Sequence, residues 1–309
     1  MNNHPPGRTP AGEGDAKMTT KPTTGSVPLW QSQRVRKGLV AVLWYALLSV
    51  TALAVMLPFI WMISTSLKGP KEVFTYPPSW IPSAWRWQNY IDAWEGAKFG
   101  RYFLNSVFVA LAVTLGQVIT CSMAAYAFAR MNFRGKNLVF ALYLSTTMIS
   151  TQVTLVPSYL VMKWLGWMDS YKALIVPFLT SPFAIFMMRQ AFMTMPRELE
   201  EAARLDGCGR VRFLVQILLP LSKPVIASQA LFAFMGNWNS YLWPLIITTR
   251  QDLRTLQIGL RYFVSQEGGT QWGLFMAAAV LVSLPVIVIY FVVQKSFVEG
   301  IATTGLKGT

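Results

Sequence analysis

Charge is what this sequence has least of. Only 13 % of its 309 residues are Asp, Glu, Lys or Arg, against 53 % hydrophobic, where a soluble domain carries about 25 % charge. That deficit, with a mean hydropathy of +0.40, excludes a soluble globular protein, and equally a disordered or collagen-like one. Histidine is nearly missing too. The single one, His4, lies in a polar N-terminal stretch, which leaves histidine catalysis and histidine metal ligation without material. Two cysteines, Cys121 and Cys208, stand far apart and make neither a metal spacing nor a disulfide framework. There is no phosphate-binding loop. The pair Gly135-Lys136 has Arg130 where the first glycine is needed and no Ser or Thr after the lysine, so any ATPase is another polypeptide. A nucleophile elbow and paired membrane carboxylates are also missing, which removes the usual means of a membrane-embedded enzyme.

The distribution of the few charges is informative. Residues 38–67, 102–129, 137–162, 173–188, 224–249 and 268–294 contain no Asp, Glu, Lys, Arg or His. About 20 apolar residues cross a ~30 Å hydrocarbon core as a helix, and a charge at the centre costs about 2.5–3.5 kcal/mol to insert. Buried helices of a soluble core keep a polar face, and these stretches have none. The reading is therefore all-α and polytopic, with six transmembrane helices. The fourth stretch is short and extends by snorkelling of Lys172 and Arg189 toward the interfaces.

Six spans put both termini on one side. With that side cytoplasmic, segments 1–37, 130–136, 189–223 and 295–309 hold 17 Lys and Arg, and the outer segments 68–101, 163–172 and 250–267 hold 10. This agrees with the positive-inside rule, with both termini cytoplasmic. The excess of basic residues is explained by orientation on membrane lipid, not by nucleic acid. The division is a polar cytoplasmic tail 1–37, a first span 38–67, an external loop 68–101, a five-helix core 102–294 with a cytoplasmic loop 189–223, and a tail 295–309. Met18 is an alternative start. Trp80, Trp85, Trp87, Trp94, Trp164 and Trp167 fall in outer segments, as an interfacial aromatic belt or as a docking surface for an external partner.

Ion-coupled carriers keep ionisable groups near the midplane. This chain offers neutral polar groups there instead: Asn105, Thr114, Gln117 and Thr120 in the second span, Ser145 to Thr154 in the third with Thr147, Thr151 and Gln152, and Asn237, Asn239, Ser240 and Tyr241 in the fifth. Such a lining suits a neutral, hydroxyl-rich solute such as a sugar. The competing explanation is interhelical hydrogen bonding, worth about 0.6 kcal/mol on average.

The loop 195–221 reads as a helix–turn–helix. Pro196 suits a first helical turn. Glu198, Glu200 and Glu201 sit near the positive end of the helix dipole. Gly207 suits a left-handed position after the helix, and a second short helix from about Arg210 stops before Pro220. A short rigid hairpin of this kind fits a cleft on another protein, or lies on the membrane as an amphipathic helix.

Here the sequence resembles a known family. Glu201-Ala202-Ala203, three residues, Gly207, nine residues, Ile217, one residue and Leu219-Pro220 match the E-A-A-x3-G-x9-I-x-L-P loop of ABC importer permeases. The run Gly236 to Leu245, then Leu253-Arg254-Thr255-Leu256, resembles the second permease subunit of carbohydrate importers, the group that includes maltose and glycerol-3-phosphate systems. Asn105-Ser106, the run Ala125 to Arg130 and the run Gln294 to Gly300 fit the same group. The resemblance covers nearly all the chain after residue 38 and implies the type I ABC importer permease fold, set in a bacterial cell (inner) membrane. It implies a heterodimer with a homologous second permease subunit, two cytoplasmic ABC ATPase subunits that hold ATP and Mg, and an extracytoplasmic solute-binding protein. This chain would bind no cofactor and catalyse no covalent chemistry. The residues it assigns to ATPase coupling are Glu198, Glu201, Ala202, Ala203, Arg204, Asp206, Gly207 and Pro220, with Glu201 facing a basic residue of the ATPase. The solute path runs at the permease interface, with Asn237, Asn239, Tyr241 and Trp243 as candidates and Thr147, Thr151 and Gln152 behind them. The alternatives are an ABC importer for a non-sugar or phosphorylated polyol solute, and an ion-coupled carrier.

Overall fold

The computed structural model describes residues 33–96, 98–264 and 270–305, and these divide into two compact units between Leu57 and Pro58. The expected polar tail up to residue 32, including Met18, lies outside the described residues. No strand occurs among the described residues.

The helices are α1 (Gln33–Ser66), α2 (Gln88–Gly96), α3 (Phe99–Arg130), α4 (Lys136–Ser145), α5 (Thr151–Trp164), α6 (Tyr171–Ile175), α7 (Pro182–Met193), α8 (Glu198–Leu205), α9 (Arg210–Phe213), α10 (Leu219–Leu221), α11 (Lys223–Trp238), α12 (Leu242–Ile247), α13 (Leu256–Leu260) and α14 (Trp272–Gly305). Three apolar helices are unbroken and long enough to span: Arg36–Ser66, Phe99–Arg130 and Trp272–Gln294. Among the described residues, three bent pairs of helices are each apolar and long enough, taken together, to make one further span. The α4–α5 pair turns by 104° at Ile149-Ser150, the α6–α7 pair by 41° at residues 179–181, and the segment Arg210–Leu221 meets α11 at 87°. Two of the bends, at 149–150 and 179–181, fall inside charge-free stretches, and the third, at Ser222, falls just before one. The fifth stretch, 224–249, is not one helix, since α11 ends at Trp238 and α12 starts only at Leu242.

A helix break inside a membrane frees carbonyls that no water can reach, so protein groups must take them. At residues 178–181 the groups come from α3. Gln117 donates Nε2 to the Phe178 carbonyl at 2.9 Å, Thr120 Oγ1 donates to the Leu179 carbonyl, and the Ser181 amide donates to Cys121 Sγ at 3.4 Å. Gly116 leaves room for Leu179, whose side chain would collide with any Cβ there. Ser181 then caps α7 by accepting from the Ala184 amide, and Pro182 opens the helix at a position where its missing N–H is harmless. Gln117 and Thr120 in the middle of α3 are therefore interhelical partners, and Thr114 donates to the Ala110 carbonyl of its own helix; none of the three lines the cavity described below.

The end of α3 that begins at Phe99 organises one face of the bundle. Asn105 donates to the carbonyls of Asp252 and Arg254 at 2.8 and 2.9 Å and accepts from the Tyr171 hydroxyl at 2.7 Å. Ser106 accepts from the Leu256 amide. Phe99, Tyr102, Phe234, Trp238, Leu256 and Phe263 pack there with Ala277 and Ala278 of α14, where small residues let helix backbones approach. Nearby, the segment after α1 is pinned by Lys68, which is 1 % exposed, lies 4.3 Å over the Trp61 ring and donates to the Ser79 carbonyl. Asn89 of α2 closes this corner by donating to the carbonyls of Ser66 and Lys68. Of the belt tryptophans, Trp80 packs edge-on to Trp61, while Trp85 and Trp87 stack on each other and stay exposed.

At the other end of α3, Cys121, Ala125 and Tyr126 pack with Met188, Phe192, Ala203, Phe213 and Leu218. Arg189 does not snorkel. Its Nε donates to the Phe128 carbonyl at 3.3 Å and its guanidinium lies 4.3 Å over the Phe140 ring, because aromatic faces and a free carbonyl offer it partners inside the bundle.

Candidate functional site

A cavity of about 560 Å³ opens where the broken spans meet. It is lined by Thr151, Gln152, Thr154, Leu155 and Ser158 of α5, by Pro177 and Phe178, and by the stretch Asn239 to Trp243. Two breaks build it. The 104° turn before α5 presents the polar face of that helix, and the interruption between α11 and α12 presents Asn239, Ser240 and Tyr241 on irregular backbone. Trp243 braces the floor. It is 8 % exposed, donates Nε1 to the Ala173 carbonyl at 2.9 Å and meets Phe178 edge-on at 5.9 Å. None of the lining residues carries Asp, Glu, Lys, Arg or His, so the cavity offers hydroxyls, amides and aromatic faces. A cation stands at its edge, where Arg261 donates Nη1 to the Tyr241 hydroxyl at 2.5 Å.

Of the sequence candidates for a solute path, Thr151, Gln152, Asn239, Tyr241 and Trp243 line this cavity. Thr147 and Asn237 do not. Thr147 Oγ1 donates to the Leu144 carbonyl and Asn237 Nδ2 to the Ala233 carbonyl, each at 2.8 Å within its own turn of chain. Ser158, Pro177 and Phe178 join the lining without having been singled out. The spacing of Thr151, Thr154, Leu155 and Ser158 is that of one helix face, which is the signal that reaches Ser158. Nothing in the local sequence announces Phe178.

The hairpin lies at the far end of α3. Helix α8 begins at Glu198, so Pro196 sits two residues outside it, in the turn that leads in. The acidic first turn divides by direction. Glu200 points inward with its side chain 12 % exposed, 2.7 Å from Arg204 and 4.0 Å from Arg130. Glu198 and Glu201 point outward, as do Ala202, Arg204 and Asp206. Ala203 is buried against the cluster that holds Tyr126 and Phe213. The helix ends as the sequence requires. Gly207 takes φ +71°, its amide donates to the Arg204 carbonyl at 3.0 Å, and the Cys208 amide donates to the Ala203 carbonyl at 2.8 Å, which is the double closure of a Schellman motif. Leu205 is 90 % exposed and Val211 73 %, an apolar edge beside the outward carboxylates.

The second limb runs further than its proline suggests. After α9 the chain makes a π-helical turn, Leu214–Leu218, and continues through Pro220 to Leu221. The wider turn accommodates a residue with no N–H to donate and a ring that would crowd an α-helical carbonyl. Among the described residues no three metal-ligating side chains come together.

Residues 117–303 match the family described as binding-protein-dependent transport system inner membrane component. The chain is 38 % identical over 265 residues to the sn-glycerol-3-phosphate transport system permease protein UgpE of Pectobacterium atrosepticum, covering 83 % of this chain and 94 % of that one. It is 34 % identical over 259 residues to the probable ABC transporter permease protein YurM of Bacillus subtilis, covering 83 % and 85 %. Its fold matches a chain in the crystal structure of a bacterial ABC transporter involved in the import of the acidic polysaccharide alginate, with TM-score 0.76 and 24 % identity over 86 % of this chain and 98 % of that one.

Proposed function

The chain belongs to the family of binding-protein-dependent transport system inner membrane components, and from that premise we propose that it is one permease subunit of an ATP-driven importer whose solute is a neutral sugar or polyol. It forms half of the translocation path beside a homologous permease. Two ATPase subunits hold ATP and Mg on the cytoplasmic side, and an external binding protein delivers the solute. Both termini are cytoplasmic, and the hairpin of α8 to α10 is the contact to the ATPase. The chain hydrolyses nothing itself.

The observation that carries the solute class is the cavity lining, in which hydroxyls and amides alternate with Phe178 and Trp243 and no ionic side chain takes part. Sugar hydroxyls pair with such groups, and the apolar faces of a sugar ring lie on aromatic ones. Opening of the cavity to alternate sides is a two-state equilibrium biased by ATP on the partner chains. For the hairpin, the support is the outward set Glu198, Glu201, Ala202, Arg204 and Asp206 next to exposed Leu205, a charged rim around an apolar edge.

A second reading, a phosphorylated polyol, is favoured by Arg261 on Tyr241 and by the name of the UgpE relative. Uptake into proteoliposomes carrying the co-purified complex separates the two. ATP-dependent uptake of a labelled neutral disaccharide, reduced at least tenfold by Gln152→Ala or Asn239→Ala, supports the first reading. Uptake of labelled glycerol-3-phosphate alone, abolished by Arg261→Gln, supports the second and overturns the first.

A further inference from the structure

Gln229 of α11 is 2 % exposed in the interior of the bundle. It donates Nε2 to Gln117 Oε1 at 2.8 Å across 112 positions of sequence, and Gln117 donates Nε2 to the Phe178 carbonyl at 2.9 Å. Phe178 lines the cavity and is the last residue before the break in its span. At its other end α11 starts two residues after the hairpin's second limb, turned by 87° from it. Two buried amides thus connect the helix that carries the hairpin to the wall of the cavity. Gln229 Oε1 has no donor among the described residues. A buried amide with an unmet acceptor is unfavourable, and apolar side chains of similar volume would fill the same space.

We propose that Gln229 is a positioning residue for solute passage. Through Gln117 it sets the place of the Phe178 carbonyl, so that movement of the hairpin changes the shape of the cavity wall. This rests on reading the cavity as the solute path and the hairpin as the ATPase contact. An ordinary packing role predicts something different. Interhelical hydrogen bonds in membranes add little to stability, so a packing pair would change stability slightly and leave the cavity's response to nucleotide intact.

The test uses the assembled complex in nanodiscs with Mg·ATP and vanadate as the probe, so no solute is needed. A bimane label on Ser158→Cys, in a background with Cys121→Ser and Cys208→Ser, reports the cavity. Nucleotide should shift its emission in the otherwise unaltered chain. Gln229→Leu, Gln117→Leu and the double variant should each reduce that shift by about 10-fold, a coupling of ordinary size, and the double should be no worse than either single. Basal ATP hydrolysis should stay within about twofold of the unaltered complex. Gln229→Glu serves as the conservative variant, since a buried carboxyl stays protonated and donates in the amide's place. It should keep the shift. No shift in the unaltered chain, a full shift in Gln229→Leu, additive losses, or loss of the shift in an intact Gln229→Glu complex would each overturn the proposal. Failure of the cavity reading shows separately, as unchanged uptake in Gln152→Ala and Asn239→Ala.

Discussion

Arg130 closes α3 onto the hairpin through Glu200. Its guanidinium donates to the carbonyls of Phe192 and Met195 at 2.8 and 2.7 Å and stands 4.0 Å from the Glu200 carboxylate, with only 5 % of its side chain exposed. One buried cation thus holds the end of α7, the turn after it and the first turn of α8. Glu200 in turn pairs with Arg204 one helical turn on at 2.7 Å. Removing one member of a buried charged pair costs about 3–5 kcal/mol. Arg130→Met should destabilise by about that amount, because two carbonyls and a carboxylate lose their partner. Glu200→Gln leaves the same guanidinium buried without an anion and should cost about 3 kcal/mol, the lower end of that range, because the two carbonyl bonds survive. Thermal unfolding in detergent ranks the two variants, and equal losses would show that the guanidinium's carbonyl bonds contribute nothing.

Glu201, one residue on, faces outward and should behave in the opposite way. Glu201→Lys should leave insertion and melting temperature unchanged and abolish solute-stimulated ATP hydrolysis in the complex. Truncating one partner of a buried interfacial ion pair costs about 2–5 kcal/mol, and reversing its sign costs no less. Full stimulation in this variant would remove the coupling role proposed for the hairpin.

Gly259 of α13 lies against the ring of Tyr102, where an added Cβ would meet Cδ2 at 2.5 Å and Cε2 at 3.2 Å. Tyr102 is itself buried, 7 % exposed, so the ring cannot swing aside. Gly259→Ala should destabilise by about 1–3 kcal/mol through overpacking, although alanine is the better helix former. Gly259→Ala with Tyr102→Leu should recover much of that loss, a double-mutant cycle read from unfolding midpoints.

The Asp169 carboxylate accepts from the Arg250 amide at 2.9 Å, from the Thr249 hydroxyl and from the Thr249 amide at 2.6 Å. These bonds, the Arg250 amide first, hold its pKa below the ordinary carboxylate value. A lowered folded-state pKa gives stability that is present above the unfolded value, about 3.9, and lost as pH falls through the folded value. Protection of the Thr249 and Arg250 amides from hydrogen exchange should therefore hold down to about pH 4 and decline below it. Asp169→Asn should lower that protection at neutral pH and remove its dependence on acid.

The sequence carried two kinds of legible information. Six stretches without a single charge are enough to say that the chain is helical and lies in a membrane, because ionic groups are too costly in hydrocarbon for any other arrangement. The hairpin was legible for a different reason. Gly207 closes α8 through local backbone geometry, and local geometry is written in neighbouring residues. Side choice was not legible. In water an amphipathic pattern tells which face is buried, but in a bilayer lipid-facing and protein-facing sides are both apolar. On the hairpin, Glu200 and Glu201 look alike in the string as adjacent acids of one helical turn, yet only Glu200 meets Arg130. The breaks at 149–150, 179–181 and 239–241 interrupt runs that read as continuous, and at 178–181 the partners that satisfy the freed backbone come from α3, far away in sequence. Gln117, Gln229 and Phe178 meet across 61 and 112 positions, and only the packed bundle brings them together. Composition alone settled that this chain crosses a membrane. Which of its neutral polar residues hold helices together, and which face an open cavity, was decided by tertiary packing, because an amide does either with the same chemistry.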